Sequence, residues 1–406
     1  MQEKNNPGIT KEIESLLNQY FNEAEASNFY QCLTNSFGNH EKAEIETSRI
    51  DQSQLNSTIP IGMNERELIT QITTFADQKL QKEKLLQLLL ELSQLMTFNG
   101  EISIATELSD DVISKTEKDN SLRKYRADAF LSLARISWSQ AYWDQSLNHV
   151  KESYKIFALI EDKEGFARCE NMLATIDGEK GDINKALDHL ENGLLFLSDS
   201  NDLALRAMFE VNLGILYNMR GEYNKALWNL KNGLGKYELL KDMRRVSRVR
   251  HNLGMIYTKM EDYHAAIEEF NKSISVSMEN GYLSNCAIGY IGKAYIYTKL
   301  KNNALADVFT DKAMEISYKI NDALSIAEVY KIKGMIQSDL ANFELSEELF
   351  ENSLRLNEDL GNDLNKAEGY NELSSLYEKT DRKDKSEHIK QNANQYFEKI
   401  NSKKEE

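Results

Sequence analysis

Small side chains return along this chain every 40 residues, and that register constrains its fold more than any other feature. Stepping by 40 through Gly214 gives Ala134, Ala174, Gly254, Ala294, Gly334 and Ser374. A second ladder holds Ser146, Ala186, Ala226, Ala266, Ala306, Ser346 and Ser386. A third holds Ala127, Ala167, Ala207, Ser247, Ala287, Ala327 and Ala367. Three ladders that stay in step over seven positions each do not arise by chance, and a fixed period of this length marks a stack of repeated units. One more unit fits upstream with a single-residue slip, using Ser93, Gly100 and Ala105, for eight units over roughly 83–400.

Inside a unit the apolar spacing is helical. LGILYNMRGEYNKA (213–226) is restated as LGMIYTKMEDYHAA (253–266). Leu213, Leu216, Tyr217 and Arg220 follow the i, i+3, i+4, i+7 pattern, and Tyr223, Ala226, Leu227, Leu230 and Leu234 begin a second amphipathic helix. Gly100, Gly181 and Gly221 stand at the turn between the two, where a left-handed backbone is easiest for glycine. Asp162, Asp202, Asp242 and Asp322 precede the next first helix, where a carboxylate can accept from its open N–H groups. Each unit therefore reads as a helix hairpin, and its small residues let two helices cross closely. Tyr217, Tyr257, Tyr297 and Tyr377 recur beside them and read as core.

Composition agrees with an all-helical chain. The only prolines are Pro7 and Pro60, and 28% of residues are charged. The net charge of −16 opposes general nucleic-acid binding, because phosphates would be repelled. Cys32, Cys169 and Cys286 are widely separated, which fits a reducing compartment better than a disulfide framework. The first residues lack the apolar stretch of a signal peptide, and no apolar run is long enough to span a bilayer. A cytoplasmic chain with no membrane partner is expected.

The expected organisation is a 1–63 segment, a lead-in helix over 64–82, eight repeats and a frayed tail over 401–406. The first segment holds one amphipathic helix (9–36, with Ile13, Leu16, Leu17, Tyr20, Phe21 and Ala24) followed by a polar linker. That helix could cap the array, form a dimer or occupy the groove as a detachable segment. The repeats run 83–123, 124–163, 164–203, 204–243, 244–283, 284–323, 324–363 and 364–400. Lys383 and Lys390 replace apolar positions of the last unit, as expected of a terminal cap.

The pattern formed by Leu213, Gly214, Tyr217, Tyr223 and Ala226 resembles the tetratricopeptide repeat. The 40-residue step resembles the longer variety in kinesin light chains, LGN-type scaffolds and Rap-type bacterial peptide receptors. The resemblance covers about four-fifths of the chain. It departs from the pattern in lacking the proline that closes the second helix, and in placing Lys293 and Asn303 at apolar positions. It implies a right-handed α-solenoid of about eight hairpins with an N-terminal helical extension, whose first helices line a concave groove.

No Gly-rich phosphate loop, HExxH, GxSxG or kinase signature is present, so neither catalysis nor a cofactor is expected. His149 and His189 lie 40 apart but lack a third donor, so no metal site is expected. Cys169 and Cys286 read as buried and inert. The resemblance places residues two and six before the small position in the groove. Those positions give Asn212, Asn252, Arg168 and Arg248, and neighbouring inward positions give Arg135, Asn171, His251 and Tyr295. Asn amides can grip an extended peptide backbone and Arg can capture a carboxylate, so a protein or peptide segment, including an acidic one, is the expected partner. RRVSRVRH (244–251) could be a solvated face paired with neighbouring acids, or a focus for that acidic segment. Glu328, Glu368, Glu372 and Glu378 would turn the far end of the groove negative, and Met208, Met255 and Met335 would give it an adaptable floor. Two functions follow: a non-enzymatic binding scaffold or adaptor, or a Rap-like regulator whose array changes shape on binding a peptide.

Overall fold

A computed structural model describes residues 7–41, 64–140 and 142–402, and its regular elements are all helical. The α-helices are α1 Pro7–Tyr20, α2 Glu23–Glu41, α3 Glu65–Lys79, α4 Lys82–Phe98, α5 Ile102–Thr116, α6 Arg123–Ser139, α7 Trp143–Ile160, α8 Lys163–Glu179, α9 Ile183–Phe196 and α10 Leu203–Met219. They continue as α11 Tyr223–Leu239, α12 Met243–Lys259, α13 Tyr263–Asn280, α14 Leu283–Lys299, α15 Asn303–Lys319, α16 Ala323–Asp339, α17 Phe343–Asp359, α18 Asp363–Lys379 and α19 Lys383–Ser402. Helices α4 and α5, α6 and α7, and each successive pair from α10–α11 to α18–α19 pack against each other as hairpins. The chain forms two compact units, residues 1–172 and 173–406, divided within α8.

The three ladders of small residues are contact points. Ala127, Ala134, Ala167, Ala207, Ala226, Ala266, Ala287, Ala294 and Ala327 are fully buried. Two of the ladder serines donate to the facing ladder: Ser146 Oγ to the Ala134 carbonyl at 2.8 Å, and Ser346 Oγ to the Gly334 carbonyl at 2.8 Å. A buried hydroxyl without such an acceptor would be costly. At Gly214 a Cβ would fall 2.7 Å from Leu230 Cγ, so the crossing there leaves no room for a side chain. Phe270 is wedged in the same way between Gly254 and Gly292, which a Cβ would bring to 2.7 and 2.5 Å from its ring.

The turns obey a shorter period than the repeat. A left-handed residue stands at 161, 181, 221, 241, 261, 281, 301, 321, 341, 361 and 381, a 20-residue spacing that skips position 201. At each bend the following N–H returns to the carbonyl five residues back, as in Asp242 to Tyr237 (3.0 Å) and Asp262 to Tyr257 (3.0 Å). That following residue is often the next N-cap: Asp182, Asp242, Asp262, Asn302, Asp322 and Asn362 each accept from an N–H three residues on. Adjacent stop and start residues make these joints very short, and no proline is needed.

The N-terminal segment differs from its expected single helix. The chain breaks after α1, where Asn22 and Glu25 exchange side-chain bonds to each other's backbone N–H groups (both 3.0 Å) and start α2 as a capping box. Helix α2 runs to Glu41, into residues expected as linker; residues 42–63 of that linker lie outside the described ones. Ile13, Leu17, Phe21, Phe29 and Leu33 join Ile72, Leu86, Leu89 and Leu92 in one apolar cluster. Within its unit the segment is thus folded back as a cap rather than detached. At the other end of the chain α19 buries only Ser386 and Ala393 among its described side chains, leaving an otherwise polar outer face. Residues 403–406 of the expected tail lie outside the described ones.

Candidate functional site

Within the second unit the first helices touch one another in sequence: α10 with α12, α12 with α14, α14 with α16 and α16 with α18. No second helix meets the next second helix as closely. Elements on the inner side of a curved stack lie closer together than those outside, so the first helices line the concave face of this unit.

Helix α12 shows how the sequence divides its faces. Val246, Val249, Leu253 and Ile256 are buried in the core, while Ser247 and Gly254 sit at the crossings. Arg244, Arg248, His251, Asn252 and Met255 fall on the remaining stripe at i, i+4, i+7, i+8 and i+11. The four arginines of RRVSRVRH separate into two kinds. Arg245 bonds to Asp242 at 3.1 Å, and Arg250 joins Glu238 (2.6 Å) and Glu269 (3.1 Å). Arg244 instead lies 4.9 Å over the Tyr282 ring, and Arg248 has no ion pair or hydrogen bond among the described residues.

Arg248 combines two properties rarely found together. Its side chain is exposed to solvent, yet surrounding protein desolvates the guanidinium and holds its pKa below the ordinary arginine value. Arg244 is likewise lowered by desolvation, and further by Arg248. His251 packs against Phe270 (ring centroids 5.3 Å) with its Nδ1 buried and unpartnered. Burial first, and Arg248 second, push its pKa down to about 4, so the imidazole is neutral at neutral pH.

The eight residues expected in the groove are divided between the units. Asn212, Arg248, His251, Asn252 and Tyr295 belong to the second. Asn212 and Asn252 occupy equivalent, half-buried positions on the touching helices α10 and α12. Tyr295 is half-buried against the Met335–Phe350 cluster, with Lys299 Nζ 5.0 Å over its ring. Arg135, Arg168 and Asn171 belong to the first unit. Arg168 is engaged there by Asp128 (3.3 Å) and Asp162 (3.8 Å) and lies over Phe157 at 5.3 Å. Arg135 and Asn171 also have partners of their own.

Lys331 had no sequence signal, and it alters the expected acidic end. This buried lysine bonds Glu328 at 2.9 Å and Glu368 at 2.7 Å, tying α16 to α18 and neutralising charge that would otherwise face outward. Glu378 is paired with Lys390. Met255 is exposed, whereas Met335 lies in the core and cannot serve as an open floor. Burial pushes the Cys169 thiol up to about 12 and the Cys286 thiol up to about 11, leaving both protonated. Among the described residues no group of three His, Cys, Asp or Glu side chains could hold a metal ion, and no helix is long and apolar enough to cross a membrane.

Residues 247–278, which contain all of this stripe but Arg244, match the tetratricopeptide repeat family model. No curated protein is similar to the chain in sequence. Solved structures are similar in fold. A Rap protein complexed with competence and sporulation factor aligns at 12% identity and TM-score 0.63, over 97% of this chain and 99% of that one. The Rap conjugation regulator of plasmid pLS20, in complex with the Phr* peptide, aligns at 13% identity and TM-score 0.58, over 97% of each chain. Aspartyl phosphate phosphatase F from Bacillus subtilis aligns at 14% identity and TM-score 0.54, over 100% of this chain and 96% of that one. The hairpin within residues 247–278 is a tetratricopeptide repeat by that match, and the chain shares the helical-repeat fold of these structures.

Proposed function

We propose that this chain is a cytoplasmic, non-enzymatic adaptor that receives an extended peptide or protein segment on the first-helix face of its second unit, without cofactor, nucleic acid or membrane. The observation that carries the reading is Arg248, solvent-reachable, desolvated and unpaired beside Asn252. Asn212 and Asn252, spaced by one repeat, supply amides that both donate and accept and so suit a peptide backbone of any sequence. The arginines favour an acidic segment. A second reading, a peptide-responsive regulator, is supported by the likeness to Rap proteins solved with bound factors, which extends over nearly the whole chain.

The test is fluorescence anisotropy of the full chain with labelled pools of uncharged pentapeptides. Binding by the wild type and its loss in the Asn212→Ala/Asn252→Ala double variant is the expected result. An equally folded double variant that still binds would remove the asparagines from the site. Small-angle scattering with and without a selected peptide separates the two readings, since only the regulator changes dimensions.

A further inference from the structure

The seams between neighbouring second helices of the second unit can be compared position by position. Where α12 shows between α11 and α13, Arg250 joins Glu238 (2.6 Å) and Glu269 (3.1 Å), and Lys272 joins Glu268 (2.6 Å) and Glu269 (3.0 Å). On α16, Lys333 joins Asp307 (3.2 Å) and Asp311 (2.6 Å) of α15. The seam between these two, where α14 lies under α13 and α15, keeps the lysines and loses the acids. Lys293 stands one repeat before Lys333, but Ile267 and Asn271 hold the places of Asp307 and Asp311. Lys312 stands one repeat after Lys272, but Val308 and Phe309 hold the places of Glu268 and Glu269. Neither lysine has an ion pair among the described residues; Lys293 Nζ donates to Asn271 Oδ1 at 2.8 Å.

Aromatic rings fill the space instead. Phe309 stacks on both Tyr290 (6.0 Å) and Tyr297 (5.5 Å), with each pair of rings 17° from parallel. Lys293 Nζ lies 4.0 Å from the Phe309 ring centre, and Lys312 Nζ lies 5.5 Å from that of Tyr290. Tyr290 also donates to the sulfur of the exposed Met278 at 3.7 Å. Lys293 is half-buried, and desolvation first, then the Lys312 charge, hold its pKa below the ordinary lysine value. A ring face answers a cation only in part, so two crowded ammonium groups are left without a carboxylate. Tyr290, Lys293 and Tyr297 lie about half a turn around α14 from Tyr295, on the side away from the first-helix face.

We propose that the seam between α13 and α15 docks a short acidic segment of a partner protein, whose carboxylates pair with Lys293 and Lys312 and whose apolar side chain rests on Tyr290 and Met278. This is a second interface, independent of the peptide groove. Each ammonium is a flexible point charge with three donors, so it accepts carboxylates in varied geometry. The exposed acids Glu268 on α13 and Asp311 on α15 stand on either side, which opposes an extended polyanion and favours one short acidic stretch.

The test is anisotropy of the full chain at low ionic strength with two labelled pentapeptide pools, blocked at both ends. One carries Glu at both outer positions and a central Leu, and the other carries Gln in place of Glu. The acidic pool should bind about tenfold or more tightly than the amide pool. Lys293→Leu/Lys312→Ala should weaken the acidic pool about tenfold and leave the amide pool unchanged. Asn271→Asp/Val308→Glu, which returns the acids of the neighbouring repeats and keeps both lysines, should weaken it to a similar degree. Lys293→Leu installs the residue found at Leu213 and Leu253, so it should fold, and circular-dichroism melting checks both double variants. Asn212→Ala/Asn252→Ala should keep the preference for the acidic pool. Pools that bind alike, or an acidic-pool affinity unchanged in either seam variant, overturn the interface and leave the peptide groove standing. Loss of the preference in the asparagine variant also overturns it, by placing acid recognition on the first-helix face.

Discussion

Several bends use a residue with a side chain where glycine would fit best. Ala341 holds φ 60°, and Glu261 holds φ 61°, whereas Gly221 fills the equivalent position at φ 83°. A left-handed L-residue is strained, so Ala341→Gly should raise stability by up to about 1 kcal/mol and Gly221→Ala should lower it by about 1 kcal/mol. Urea unfolding of both variants checks this, and two changes of the same sign would refute it. His251 gives a pH prediction. Its folded pKa of about 4 lies below the ordinary 6.5, so the unfolded chain binds the extra proton between those values. Its contribution is therefore intact above pH 6.5 and is lost progressively as pH falls toward 4, by about 3 kcal/mol at full effect. His251→Asn should flatten the stability-versus-pH curve in that window; an unchanged slope would show that another group sets it. The glycine bends were legible from sequence because glycine advertises a left-handed backbone. Glu261, Lys301 and Ala341 were not, because their geometry is imposed by the helices on either side rather than chosen by the residue.

Among helices, the least legible link is between α16 and α18. Lys331 occupies a position filled by Val211, His251 and Ile291 in earlier repeats, so nothing in the periodicity marks it as a bridge. Yet it is the buried partner of both Glu328 and Glu368. Burial opposes its charge, and the two carboxylates more than offset this, holding its pKa above the ordinary lysine value. A double-mutant cycle of Lys331→Met and Glu368→Gln should show a coupling of about 1 kcal/mol, since Glu368 is about half exposed. Additive effects would mean that α16 and α18 are held by Met335, Leu373 and Leu376 alone. The stripe on α12 was the more readable case: its arginines were visible as a cluster, but only packing shows which of them have acids.

Across the whole chain, the small-residue ladders made the architecture legible, because repeated packing needs repeated absence of bulk. The break between α1 and α2 was hidden by a helical stripe that runs through it, since Phe21 and Ala24 satisfy the same periodicity on both sides of the Asn22 cap. In a repeat stack each hairpin depends on its neighbour, so the end is protected only by its last helix. Removing residues 380–406 should uncover Leu373, Leu376 and Tyr377. Hydrogen exchange is expected to speed up throughout α18 and stay unchanged in α10; uniform protection would mean that α19 caps nothing. The 20-residue beat of the bends carries its own consequence. Because the joint after a first helix and the joint after a second helix share one local grammar, the chain can be cut and respliced at either. Duplication or loss of a single helix would keep every bend intact and fail only where the crossings demand alternation, which leaves the length of such a chain open to change by recombination.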